Sequence, residues 1–121
     1  MRKLVLAVAM IAALPVVANA ADAEAGKATF GKCRACHQIG EGAKNAVGPH
    51  LDGVVGRKAG AAEGFNYSEA MKASGITWDD ANLKEWLADP KKKVPGTKMV
   101  FAGLKDPADI DNVIEYLKTA K

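Results

Sequence analysis

Five residues, Cys33-Arg34-Ala35-Cys36-His37, hold both cysteines of the chain and one of its two histidines. Cys-x-x-Cys-His is the pattern to which haem attaches covalently. Two thiols three positions apart on a helical turn can each add across one vinyl group of haem. Two thioether links result, and the next side chain, His37, lies where it can reach the iron. Three other chemistries compete for these residues. A zinc site normally has four ligands, usually two such pairs; there is no second cysteine pair, and only His50 remains. A thioredoxin-type dithiol needs a βαβ setting, and the chain shows little strand pattern. A structural disulfide suits an oxidising compartment but gives the adjacent histidine no task. Haem attachment uses all three side chains.

A haem makes further demands. An iron-bound histidine usually donates its other ring N–H to a fixed acceptor, which sets its tautomer and raises its basicity. The Gly48-Pro49-His50-Leu51 stretch offers one, and the carbonyl of Pro49 is the expected partner of His37. The opposite axial position has three candidates besides lysines: His50, Met71 and Met99. A thioether paired with histidine is the ligand set of electron-carrying haem proteins and raises the reduction potential. Met99 lies in an unhelical stretch, Pro95-Gly96-Thr97-Lys98-Met99, long enough to cross back over a haem. Met71 falls in an expected helix, where a methionine more often fills a core. His50 follows Pro49 and belongs with the His37 side. Met99 is favoured, with the other two left open.

The elements that must hold these groups read as helices and long loops. Asp22 can cap a first helix, with Glu24 in its first turn. Gly26, Phe30 and Cys33 share one face, so this helix should run into the cysteine motif. From Gln38 to Glu63 the chain is rich in Gly and Ala without sustained periodicity, a loop long enough to suggest wrapping of a cofactor. Ser68 to Ser74, ended by Gly75, is a short capped helix. Asp79 or Asp80 opens another, with Leu83, Trp86 and Leu87 as its apolar face and Asp89-Pro90 as its stop. Lys91 to Lys105 reads as loop. Asp106-Pro107 opens the last helix, with proline at the first helical position. Its stripe, Ile110, Val113, Ile114 and Leu117, should pack on the Gly26–Phe30 face.

The chain of 121 residues is enough for one small domain. Arg2-Lys3, an apolar run from Leu4 to Leu14 and Ala18-Asn19-Ala20 make the pattern of a cleaved export signal. Residues 1–20 are therefore expected to be removed and 21–121 to form the domain, in the periplasm. The apolar run is shorter than the ~20 residues of a membrane-spanning helix, so no stable membrane insertion is expected. Only three Phe, two Tyr and two Trp are available for a core, and a covalent haem would add apolar bulk to it. Setting Arg2 and Lys3 aside, 17 − 2 = 15 basic residues face 14 acidic ones. So small a net charge argues against nucleic acid. Its distribution is uneven: Lys91 to Lys105 holds five lysines and no acid. A polarised molecule of this kind can be steered onto an acidic partner.

Together, Cys33–His37, Gly48-Pro49-His50-Leu51, Gly64-Phe65-Asn66-Tyr67, Gly75-Ile76-Thr77-Trp78 and Pro95–Met99 resemble the class I cytochromes c, closely the bacterial periplasmic type similar to mitochondrial cytochrome c. The resemblance spans essentially all of 21–121. It implies an all-α cytochrome c fold of three main helices, with short helices and long loops wrapped around one haem c attached through Cys33 and Cys36. It implies His37 and Met99 as axial ligands. It places Arg57, Tyr67 and Trp78 at the haem propionates, Trp86 and Thr97 near the methionine side, and Phe101 over the haem near its exposed edge. Two positions depart from the family: relatives commonly carry a polar residue at Met71 and often a tyrosine at Trp86. Both changes imply a drier methionine side.

The expected function is soluble transfer of single electrons between membrane-bound respiratory or photosynthetic complexes, by a monomer that is not an enzyme. Lys27, Lys32 and Lys44, with the Lys91–Lys105 run, would orient it on acidic docking faces. By resemblance the donor is a cytochrome bc complex, and the acceptor an oxidase, a reaction centre or a denitrifying reductase. The alternative is a haem peroxidase-like enzyme or small-gas sensor, which would need a labile Met99 bond.

Overall fold

The structure is a computed structural model that describes residues 21–121. The expected export signal lies outside the described residues.

Among the described residues five helices follow one another: α1 Ala23–Thr29, α2 Glu69–Ala73, α3 Asp80–Ala88, α4 Pro90–Lys93 and α5 Pro107–Lys118. A 3₁₀ turn, Phe30–Lys32, continues α1. Among the described residues there is no strand, only an isolated antiparallel bridge between Lys58 and Thr77. The architecture is all-α, as expected.

Side-chain caps set the helix starts. Asp22 accepts from the Glu24 N–H, Ser68 from Met71, Asp79 from Asn82 and Asp106 from Ala108. Each cap satisfies one of the N–H groups that a helix start leaves without an internal partner. The loop expected from Lys91 to Lys105 is corrected at its start. Asp89 accepts from the Lys92 N–H, Pro90 takes the first helical position, and one helical turn forms through Lys93. The Asp-Pro pair that opens α5 opens α4 as well.

The helices meet as the apolar stripes require. Ile110, Val113, Ile114 and Leu117 of α5 are buried together with Phe30, Leu83, Trp86 and Leu87. Helix α1 crosses α5 at Gly26, where a Cβ would lie 1.9 Å from the Asn112 carbonyl oxygen. Any side chain there would push the two helices apart. The Asp22 N–H donates to Asn112 Oδ1 at 2.8 Å, and Phe30 meets Tyr116 with ring centroids 5.3 Å apart. This pair of helices fixes the direction in which the chain enters the cysteine motif. Lys118 also reaches both Asp80 and Glu115 at 3.0 Å, an exposed link between α3 and α5 that adds little.

Candidate haem site

After Lys32 the backbone turns through the motif. His37 N–H donates to the Cys33 carbonyl at 2.9 Å, and Cys36 N–H to the same oxygen at 3.2 Å. Cys33 is half-buried and Cys36 exposed. Burial pushes the Cys33 thiol above its ordinary pKa, and the nearby charges of Lys32 and Arg34 oppose this.

Two adjoining cavities open beside the motif, with about 670 and 890 Å³ of empty space including their open sides. Both are lined by Cys33, His37, Tyr67, Met71, Trp86 and Met99. They are two lobes of one cleft. The inner lobe also touches Pro49, Arg57, Trp78 and the α5 side chains Val113 and Leu117. The outer lobe also touches Cys36, Thr97, Phe101, Lys32 and Lys98. The residues favoured from the sequence for attachment, ligation and the propionate side therefore line this cleft, whereas His50 does not.

The histidine is held as expected. His37 Nδ1 lies 2.7 Å from the Pro49 carbonyl oxygen, so Nδ1–H donates and Nε2 is left with its lone pair. Burial pulls the His37 pKa down, the bond to Pro49 opposes this, and the Arg57 charge reinforces it. A neutral imidazole is the form that binds a metal. Gly48 makes room for the ring: a Cβ there would lie 2.4 Å from His37 Cε1.

Met99 and Met71 also line both lobes. Met71 thus faces the cleft rather than only filling the core. Met99 N–H donates to Thr97 Oγ1 at 3.2 Å. His50 lines neither lobe; its N–H donates to Asn45 Oδ1 at 3.0 Å. Arg57 donates from Nη1 to the Asp52 carbonyl and from Nη2 to the His50 carbonyl, at 3.1 and 3.0 Å. Its Nε is buried without a partner. A cationic group with an unused buried donor, at the wall of an apolar cleft, fits an anionic substituent on what fills the cleft. Tyr67 accepts from the Ala62 N–H at 3.0 Å and packs edge-on against Phe65. Trp78 and Trp86 stand with ring centroids 5.3 Å apart.

Two residues of the rim had no sequence signal assigned to them. Val47 and Val100 border the outer lobe and are 75% and 96% exposed. An apolar residue directly after Met99 was the clue for Val100. Lys93, counted in the basic run, instead turns toward Glu85 and Asn82 of α3.

A cysteine pair, a neutral histidine and a thioether converge on one apolar cleft with a basic, valine-bearing rim. That arrangement defines a covalent haem protein. The Cytochrome c family model matches residues 23–121. Cytochrome c-550 of Nitrobacter winogradskyi is 64% identical over 96 residues, covering 79% of this chain and 88% of that one. Cytochrome c2 of Rhodoblastus acidophilus is 60% identical over 102 residues, covering 84% and 95%. Among solved structures, cytochrome cH from Methylobacterium extorquens superposes with a TM-score of 0.77 at 61% identity, covering 81% of this chain and 98% of that one. The chain belongs to the cytochrome c family. It carries one haem c, covalently attached through Cys33 and Cys36. No helix among the described residues is long and apolar enough to cross a membrane.

Proposed function

We propose that this protein is an exported one-electron carrier whose haem iron would be held by His37 and Met99. When bound, haem c supplies a ferrous/ferric couple. The chain's own residues do the rest. Pro49 fixes the His37 tautomer, and Met99 would present a thioether to the iron. Arg57, Tyr67 and Trp78 hold the propionate side, Trp86 and Thr97 border the methionine side, and the apolar walls exclude water. With both His37 and Met99 holding the iron, no position would be left open for a substrate, which suits a carrier rather than an enzyme.

The observation that carries this reading is the cleft itself, with His37 and Met99 on its lining and Lys32, Lys98, Val47 and Val100 around its outer lobe. The lysines favour acidic docking faces and the valines supply uncharged contact. The donor we favour is a cytochrome bc complex; the acceptor is an oxidase, a reaction centre or a denitrifying reductase. Residues 1–20 serve as a cleaved export signal, which places the monomeric carrier in the periplasm.

The test is the absorption spectrum of both oxidation states. The weak long-wavelength band of sulfur bonded to ferric iron should be present, and its absence removes Met99 as ligand. The reduced protein should fail to bind carbon monoxide at neutral pH. Binding would favour a peroxidase-like enzyme or a gas sensor with a labile methionine.

A further inference from the structure

Lys93 ends α4, and its side chain is only 18% exposed. It pairs with Glu85 of α3 and donates to Asn82 Oδ1 at 2.9 Å. Asn82 in turn donates from Nδ2 to the Thr77 carbonyl at 2.8 Å. Thr77 pairs with Lys58 across the isolated bridge, and Trp78 N–H donates to the Arg57 carbonyl at 2.9 Å. A line of hydrogen bonds therefore joins the Arg57–Trp78 wall of the cleft, through Asn82, to the end of α4.

Met99 lies six positions beyond Lys93. Between them the chain is pinned by buried Val94, and the next cross-link after Met99 is the Leu104 N–H to the Leu87 carbonyl at 2.7 Å. Lys91 and Lys92 are exposed and form no ion pair among the described residues. Three consecutive lysines thus divide into two solvated ones and one that ties the start of the methionine segment to α3.

We propose that Lys93 is a positioning residue for Met99: its link to Glu85 and Asn82 anchors the start of the segment that brings the thioether to the cleft. This rests on Met99 as the axial ligand. Lys93 touches no reacting atom. It acts on the equilibrium between the segment seated on the cleft and the segment lifted away. Loss of the link favours the lifted state and so eases entry of a competing ligand. Glu85 is 64% exposed on its side chain, so water screens the pair and the effect is bounded.

The experiment is an imidazole titration of the ferric holoprotein, followed by loss of the long-wavelength sulfur–iron band. Lys93→Ala should tighten imidazole binding roughly two- to fivefold, the upper part of the span expected of a partly exposed ion pair. Glu85→Gln should give a smaller shift in the same direction. The exchange of both, Lys93→Glu with Glu85→Lys, should bring the affinity back toward the parent's. Lys84→Ala, which breaks another lysine–carboxylate pair of α3, with Asp111 at 3.6 Å, should leave it unchanged. An unaltered imidazole affinity in Lys93→Ala, with the band intact, overturns the proposal even if urea resistance falls; so does an exchange no better than the sum of its single changes. A parent protein without the band would sink the Met99 reading instead, and this proposal with it.

Discussion

Two regions that line the cleft are held in different ways. Between Cys33 and Leu51 the chain is tied to itself repeatedly. Gly48 N–H donates to the Cys36 carbonyl, Leu51 N–H to Gln38, and Gly40 N–H to the Asp52 carboxylate, at 2.8, 3.0 and 2.7 Å. His37 is locked through Pro49. From 95 to 103, among the described residues, no hydrogen bond joins the backbone to another element; Thr97 N–H returns to Val94 and Met99 N–H to the Thr97 hydroxyl. The methionine segment is fixed at its ends and free of cross-links in the middle. A rigid histidine wall and an end-anchored methionine wall have different tasks. The first must keep an imidazole aligned with a permanently attached ring. The second, on the proposed reading, would bring Met99 to the iron, and it can yield locally without loss of the fold.

Adding one methyl group to each wall separates them most sharply. Gly48→Ala forces a Cβ into the His37 ring, and neither the ring, bonded to Pro49, nor the tied backbone has room to move. It should cost roughly 3 kcal/mol of global stability, measured by guanidinium unfolding of the holoprotein. Gly103→Ala places a Cβ 2.0 Å from the Ala88 carbonyl oxygen at a backbone φ of +104°, a conformation that L residues avoid. Here the methionine segment can lift instead. The expected loss is about 2 kcal/mol, with the sulfur–iron band weakened well before the helices unfold. Equal effects of the two changes on the band would erase the distinction between the walls.

Much of the histidine side was readable in the sequence, because local chemistry fixes it. The Cys33–His37 spacing, the proline before His50 and the Asp caps are short-range signals, and the helices they specify formed where expected. The methionine side was read less completely. In the sequence Asp89-Pro90 reads as a stop and Asp106-Pro107 as a start, whereas in the structure Asp89 both ends α3 and opens α4. A one-turn helix carries too few residues to show a period. The inward turn of Lys93 depends on Glu85, a neighbour across two helices, and a run of lysines looks alike whether solvated or tied. Met71 posed the same difficulty: helical spacing says which face a side chain is on, but not that the face borders a cleft.

Met71 tests how dry the methionine wall is. It stands on both lobes beside Met99. An apolar neighbour disfavours the more highly charged ferric state, since polar surroundings stabilise charge. Met71→Asn should therefore lower the reduction potential by roughly 30–60 mV, a three- to tenfold change in the equilibrium. Met71→Leu should leave it near the parent's. Redox titration with mediators reads both. If the asparagine variant keeps the parent's potential and the parent's Met99 bond, the side chain is only filling space.

The smallest expected effect lies on the histidine side. Arg34, inside the cysteine motif, places its guanidinium carbon 5.2 Å from the centre of the Phe30 ring and donates from Nη2 to the Tyr116 hydroxyl at 3.3 Å. It thereby ties the attachment turn to the 3₁₀ turn that continues α1 and to α5. The site is exposed, so the cation–ring contact contributes about 0.5–1 kcal/mol. Arg34→Ala should lower global stability by that amount. Its effect on Met99 is the informative part. Arg34 acts on a wall already held by His37, Pro49 and the Gly48–Cys36 bond, and none of those changes when its side chain is shortened. The sulfur–iron band and the imidazole affinity should stay at the parent's values, while Lys93→Ala, with a similar energetic weight, moves them. If Arg34→Ala loosened Met99 as readily as Lys93→Ala, the two walls would be answering to one global stability, and the anchor at Lys93 would have no local meaning.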